Sequence, residues 1–412
     1  MVRKSYRPGD QTLVRSMNLS TVLRCVWDAR PLSRVAIAAD TGLNKTTVSS
    51  LVSELEERGL IREIGQHESS GGRPARLLDL NPEAGVMIGV EIGVDRIHVI
   101  LTDFLATVRW RARHEIAPTA GQEAIIATVL AMLDDAVARC PVDAGTRLLG
   151  IGLALPGMVD VADGLLIFSP NLQWRNVPLR QMIAQRFQVP VFVDNDANAA
   201  ALGERLFGAA RTVDDFIYLI VGVGIGAGIC INGQIYRGAG GYAGEVGHTR
   251  LALEHTRPCH CGKRGCWETL ANQYALIERV RAALAASRPS ILAGDVALTV
   301  ERIGQAAAAG DEVACQALAE TGAFVGLGIA NLVDIFNPKL VVVGGAMYEV
   351  MDHLLPAIRQ KVTECALKET RHMVTVEPSA HGRDACTIGA VALITQNILQ
   401  DPVSVPRLRE RR

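Results

Sequence analysis

Gly240-Gly241-Tyr242-Ala243-Gly244-Glu245-Val246-Gly247-His248 is followed, after a polar loop, by Cys259-His260-Cys261-Gly262-Lys263-Arg264-Gly265-Cys266-Trp267-Glu268. Within this short span His248, Cys259, Cys261 and Cys266 offer one imidazole and three thiols. That is the donor set of a closed, four-coordinate structural zinc site with no position left for water. Gly262 and Gly265 allow the backbone to turn tightly enough for the sulfurs to converge. Glu245 and Glu268 bracket the set, and carboxylates lie outside the preferred soft ligands. The stretch therefore reads as a loop folded by Zn2+ so that two carboxylates face a ligand.

Working outward, polar groups gather at the ends of apolar runs. Leu155-Pro156-Gly157-Met158-Val159-Asp160 and Pro170-Asn171-Leu172 follow two such runs, and Val193-Asp194-Asn195-Asp196-Ala197-Asn198 ends a third and opens an alanine-rich helix. Asn and Asp at strand ends suit vicinal hydroxyls, each of which needs a donor and an acceptor. Asp194 and Asn198 read as local caps of that helix. Apolar hairpins are expected over 86–102 and 216–231, the second echoing the first as an internal duplication. Helices are expected over 122–138 and 179–187, and strands over 148–153 and 191–193. This α/β alternation places ligands at strand ends. Further on, 306–319 and 321–334 read as two helices, with Gly322, Gly326 and Gly328 for close packing, and Asn337-Pro338 breaks before a strand at 340.

The N-terminal segment has a different character. Leu19, Val22, Leu23 and Val26 recur at helical spacing, and Pro31 ends that helix. Ser33 caps a second helix, Gly42 turns the chain, and Asn44 caps a third. On the third helix Val48, Leu51, Val52 and Leu55 form the apolar face. Lys45, Thr46, Thr47, Ser49 and Ser50 lie opposite, short enough to approach DNA closely. Two strands follow, around 60–64 and 76–80, joined by a loop carrying Arg73 and Arg76. The pattern is a winged helix-turn-helix whose second motif helix enters the major groove, with arginines of the wing reaching the minor groove. A plain protein-interaction module is the bland alternative.

Bulk properties agree. The chain has 412 residues, too many for one core, with 49% hydrophobic and 21% charged residues and a net charge of -1. Residues 1–80 hold 12 Lys and Arg against 9 Asp and Glu, or +3, an asymmetry pointing to nucleic acid at that end. Nine cysteines, three of them in the metal set, indicate a reducing, cytoplasmic compartment. Cys25, Cys140, Cys230, Cys315, Cys365 and Cys386 read as buried reduced thiols. The longest apolar run, 216–231, carries four glycines and is too short for a membrane span. The basic residues from 407 to 412 read as a solvated terminus.

G-E-x-G-H followed by C-x-C-G-x-x-G-C-x-E resembles the signature of the ROK family of bacterial sugar kinases and sugar-responsive repressors, and the resemblance runs from about residue 14 to about 395. It implies an actin-like, hexokinase-like (ribonuclease H-like) α/β body of two lobes behind the winged head. The expected divisions are 1–81 for the head, 82–195 with 381–400 for the first lobe, and 196–380 for the second lobe with its zinc site. It also implies that Asp196 matches the base on the sugar hydroxyl. Asn195, Glu245 and Glu268 would hold sugar hydroxyls, and His248 would both bind zinc and lie near the sugar; Asn171 joins them as a candidate on its place in a loop after an apolar run.

Kinases of the family need a first phosphate loop like D-x-G-G-T, and here it reads Glu91-Ile92-Gly93-Val94-Asp95-Arg96. Val94 fills space that a second glycine would leave open, and Asp95 puts a negative charge where a hydroxyl is needed. The second loop, Gly222-Val223-Gly224-Ile225-Gly226-Ala227-Gly228, keeps its glycines but lacks the hydroxyl. Phosphoryl transfer rests on positioning and charge stabilisation, and the first-loop changes oppose both. The expectation is a repressor without kinase activity, Asp196 being a vestigial base. It would bind operator DNA as a homodimer or homotetramer under the control of a monosaccharide. The alternative is an active sugar kinase fused to a DNA-binding head, and a further reading makes a protein partner the signal.

Overall fold

The computed structural model describes residues 11–67, 75–117, 120–140, 146–252, 257–295 and 297–408. Three helices open it: α1 (Gln11–Ala29), α2 (Arg34–Thr41) and α3 (Lys45–Glu57). Leu19, Val22, Leu23 and Val26 of α1 are buried against Ile37 of α2 and Val48, Leu51, Val52 and Leu55 of α3. The caps fall where the sequence places them. The Ser33 hydroxyl accepts from the Ala36 amide, the Asn44 side chain accepts from the Thr47 amide, and Gly42 takes φ +71° between the two helices. β1 (Leu32–Ser33), β2 (Ile61–His67) and β3 (Ala75–Leu80) form an antiparallel sheet in the order β1-β3-β2. β1 was not expected; two residues are too short to show a period.

Two five-stranded sheets form the body. The first contains β4 (Val86–Ile92), β5 (Arg96–Asp103), β6 (Val108–Glu115), β7 (Leu148–Leu155) and, after the small sheet of β8 (Met158–Asp160), β9 (Leu165–Ser169) and β10 (Trp174–Val177), β11 (Val191–Asn195). Its order is β11-β7-β4-β5-β6. The second contains β12 (Phe216–Val221), β13 (Ile225–Ile231), β14 (Gln234–Ile235), β15 (Leu340–Gly344) and β16 (Thr375–Pro378), in the order β14-β13-β12-β15-β16. In each sheet the leading hairpin is antiparallel and the two later strands add in parallel. The repeated order and sense bear out the duplication.

Helices α4 (Gln122–Ala138) and α5 (Leu179–Phe187) match the expected spans. α6 (Asp196–Phe207) packs on α13 (Ala385–Gln400); α6 also touches β12 and β13, and α13 touches β4, β7 and β11. The two helices therefore lie between the sheets. α7 (Glu268–Ala271), α8 (Gln273–Ala285), α9 (Val300–Ala308), α10 (Glu312–Phe336), α11 (Met351–Cys365) and α12 (Lys368–Arg371) accompany the second sheet.

Three expectations are corrected. The helix break lies at Gly310-Asp311, where Asp311 caps α10 through the Ala314 amide, and α10 then runs unbroken through Thr321. This helix is long and apolar enough to cross a bilayer by length and composition, but most of it is buried in the core. The glycines explain its packing. A Cβ on Gly326 would stand 2.6 Å from the Ile358 carbonyl oxygen, and one on Gly328 would stand 2.0 Å from the Trp267 ring. Second, Cys315 and Cys365 are exposed and Cys25 is half-buried, while Cys140, Cys230 and Cys386 are buried. Third, the chain around Arg407 is not a free terminus. Arg407 pairs with Glu57 at 2.8 Å, and the Leu408 amide donates to the Glu57 carbonyl at 2.8 Å.

Candidate functional site

β11 delivers Asn195 and Asp196 to the mouth of a cleft of about 700 Å³. Asn195 is the N-cap of α6: its side-chain oxygen accepts from the amides of Ala197 and Asn198, and its Nδ2 donates to the Gly157 carbonyl at 3.2 Å. Asp194 and Asn198 are not the caps expected of them. Asp194 is 1% exposed and takes a bidentate clasp from Arg237 at 2.9 and 2.6 Å; Asn198 is buried in the first turn. Arg237, unremarked in the sequence, thus ties the strand end to the loop leading into Gly240–Gly244.

Asp196 sits beside Asn195, its carboxylate accepting from the Ala197 amide at 2.9 Å. Burial raises its pKa to about 6; the Ala197 amide opposes the shift and Glu245 adds to it. Glu91, at the end of β4, is raised to about 7 by burial and by the charge of Asp196. Its closeness to Asp196 shows only in three dimensions.

The metal cluster can be tested by geometry. With Zn–S near 2.3 Å and Zn–N near 2.0–2.1 Å, tetrahedral angles require about 3.8 Å between sulfurs and about 3.5 Å between sulfur and nitrogen. Cys261 and Cys266 sulfurs are 3.7 Å apart, and Cys259 Sγ lies 3.5 Å from His248 Nδ1. All four donor atoms lie within 4.8 Å of one another. The residues fit a tetrahedral ion. Gly265 is needed at φ +79°, and a Cβ there would fall 1.7 Å from the Ala252 carbonyl oxygen.

His248 joins metal site and cleft. Nδ1 faces Cys259, while Nε2 faces Glu245 Oε2 at 3.7 Å. Glu268 Oε1 lies 3.6 Å from His248 Nδ1 and 2.8 Å from Cys259 Sγ. Asn171, Asn195, Asp196, Glu245, His248 and Glu268 all line the one cleft.

The same cleft is also lined by Gly93, Val94, Asp95, Arg96, the Gly222–Gly224 turn and Gly345. Gly93 and Arg96 close a tight turn, amide to carbonyl at 2.8 Å, and Asp95 holds the Arg96 guanidinium with two contacts of 3.1 Å. Nearby, Asp384 draws in Arg111 at 3.2 Å and Arg113 at 3.5 Å. These arginines come from β6, a strand with too few apolar residues to show in the hydrophobic pattern.

On the head, Lys45, Thr46, Ser49 and Ser50 are exposed on α3, and Thr47 is half-buried. Ser50 also accepts from Arg15 at 3.4 Å. Arg76 is exposed but paired with Glu63 at 2.7 Å, which also holds Arg34. Arg73 lies outside the described residues.

Comparison with known proteins adds the following. The ROK family pattern matches residues 87–397, and an IclR helix-turn-helix pattern matches residues 17–65. The xylose repressor of Caldicellulosiruptor bescii is 35% identical over 397 residues, covering 96% of this chain and 99% of that protein. The DNA-binding transcriptional dual regulator NagC of Escherichia coli is 33% identical over 394 residues, covering 95% of each. Among solved structures, a ROK family transcriptional regulator, homolog of the E. coli MLC protein, superposes with a TM-score of 0.81 at 28% identity, covering 94% of this chain and 97% of that one. A ROK family glucokinase from Streptomyces griseus, in complex with glucose and AMPPNP, superposes with a TM-score of 0.67 at 32% identity, over 76% of this chain and all of that one.

Proposed function

Because this chain belongs to the ROK family and carries a helix-turn-helix in front of the ROK body, we infer that it is a sugar-responsive, DNA-binding transcriptional repressor. One observation carries the reading: six side chains suited to hydroxyls, among them His248 of the zinc-type cluster, share one cleft with a first phosphate loop that bears Val94 and Asp95. Asn195, Asp196, Glu245, His248 and Glu268 hold the monosaccharide, with Asn171 at the rim. Zinc, held by His248, Cys259, Cys261 and Cys266, supplies a cross-link that keeps Glu245 and Glu268 turned to the cleft. Lys45, Thr46, Thr47, Ser49 and Ser50 of α3 face the operator, with Arg73 and Arg76 from the wing. A homodimer or homotetramer on a pseudo-palindromic operator suits this head, and such a protein acts in the cytoplasm.

Kinase activity is disfavoured by the first loop. Val94 occupies the place where a second glycine would admit phosphate to the backbone, and Asp95, tied to Arg96, offers a carboxylate in place of a donor hydroxyl. The near-full-length relatives quoted above are regulators, whereas the glucokinase aligns with the body alone. A coupled ADP-release assay with Mg-ATP and a sugar panel tests this; turnover near typical kinase rates of about 1–100 per second would favour the kinase reading.

The route from cleft to head is built from α6 and α13. At about 1.5 Å per residue they span about 18 and 24 Å. α6 begins at Asp196 in the cleft and ends at Phe207, which meets Trp27 of α1 edge-on with centroids 5.6 Å apart. α13 begins at cleft residues Ala385 and Cys386, and its Leu399 carbonyl accepts from Ser20 of α1 at 2.6 Å. The segment after α13 then grips the head: Arg58 donates to the carbonyls of Val403 and Val405, and Arg147 donates to those of Arg58 and Pro406. A sugar that binds two lobe arrangements unequally shifts the head through these helices, and one that binds them equally shifts nothing. Operator affinity measured with and without each sugar tests the reading.

A further inference from the structure

The rim of the cleft on the side of Asn171 is formed by the small sheet β10-β9-β8. Phe168 on β9 stands opposite Met158 on β8 and opposite Arg175 on β10. Residues directly opposite across antiparallel strands share a face, so these three side chains form one row. Met158 and Phe168 line the cleft. The Arg175 guanidinium carbon lies 3.8 Å from the Phe168 ring centroid, stacked on one face of the ring.

The row is anchored to the ligand side chains. Gly157, at φ +129°, presses against β9 so closely that a Cβ would stand 2.6 Å from the Phe168 carbonyl oxygen. The Gly157 carbonyl in turn accepts from Asn195 Nδ2. Phe168 is half-buried, between buried Leu166 and Ser169 on the same strand. Its ring is therefore fixed but accessible from the cleft.

The polar groups of the cleft address hydroxyls only. A monosaccharide ring also presents C–H bonds with slight positive charge, and the electron-rich face of an aromatic ring is their complement. We propose that Phe168 is a stacking platform for the C–H face of the bound monosaccharide, and that Arg175 is a positioning residue that holds the ring by covering its other face. The assignment rests on the sugar reading above.

Calorimetric titration of the zinc-loaded full chain with D-xylose, D-glucose and N-acetyl-D-glucosamine tests it. For whichever sugar the wild type binds, Phe168→Ala weakens binding about tenfold, equivalent to about 1.4 kcal/mol. Phe168→Leu, which keeps bulk without an aromatic face, weakens it by nearly as much, and Phe168→Tyr restores it. Arg175→Ala gives a smaller loss that Arg175→Lys rescues, since a lysine still stacks on the ring. Unchanged zinc content and melting temperature show that each variant is folded. Wild-type affinity in Phe168→Ala or Phe168→Leu overturns the stacking role and leaves the sugar reading standing. A wild-type chain that binds none of a wide monosaccharide panel overturns the sugar reading, and this assignment with it.

Discussion

Trp27→Ala cuts the aromatic contact at which α6 meets the head. Trp27 is 4% exposed and makes two edge-on contacts, with Phe207 at 5.6 Å and Phe104 at 5.9 Å. Each such pair contributes about 0.5–1.5 kcal/mol beyond area burial, so the two together contribute about 1–3 kcal/mol. Coupling free energies between allosteric sites are also about 1–3 kcal/mol, or about 5–150-fold in affinity. Losing both pairs is therefore large enough to remove most of the response. The substitution also costs about 3–5 kcal/mol of stability, so folding is checked first by circular dichroism, with Trp27→Phe as the milder control. The assay is fluorescence anisotropy of an operator duplex selected from random DNA, with and without saturating sugar, beside calorimetric sugar binding. Both ligands still bind the variant, but the sugar-dependent change in operator affinity collapses toward one. A folded Trp27→Ala protein that keeps the full wild-type change would refute the route through α6.

Cys266→Ser removes one of four donors; zinc content falls toward zero by atomic absorption and sugar binding is lost with it, since structural zinc supplies about 10–16 kcal/mol of folding free energy in small zinc domains. Arg237→Ala leaves the buried Asp194 carboxylate without its bidentate partner, a loss of about 3–5 kcal/mol by urea unfolding, part of which Asp194→Asn recovers. Glu91 and Asp196 have folded pKa values raised to about 7 and about 6. The folded chain therefore binds more protons than the unfolded one above their ordinary values near 4. Their contribution is fully present at low pH and is lost as pH rises through about 4 to 7. Melting temperature followed across that window shows a decline from these groups, and the double variant Glu91→Gln, Asp196→Asn flattens it.

The head was legible because its signals are local. Caps at Ser33 and Asn44, a glycine turn at Gly42 and a helical period each lie within a few residues, and each is where the sequence puts it. The zinc-type cluster was legible because donor type and spacing specify it, and the distances fit a tetrahedron. What escaped reading was non-local. Arg237 reaches Asp194 from 43 residues away, and Arg111 reaches Asp384 only because β6 adds to the sheet edge beside α13. The true break before α10 has a local signal in Gly310 and the Asp311 cap, whereas nothing breaks the helix between 319 and 321, where the Thr321 hydroxyl simply bonds back to the Ala317 carbonyl. The charge of the segment at Arg407 does not reveal its partners, Glu54 and Glu57, which lie on α3 about 350 residues earlier in the chain.

The central claim is that a monosaccharide in the metal-braced cleft loosens the grip of α3 on DNA. Operator binding by the zinc-loaded wild-type chain, titrated with a panel of monosaccharides and no nucleotide, measures this directly. At least one sugar raises the operator dissociation constant about fivefold or more. An operator affinity indifferent to every sugar, in a chain that instead phosphorylates one of them from Mg-ATP, would contradict it.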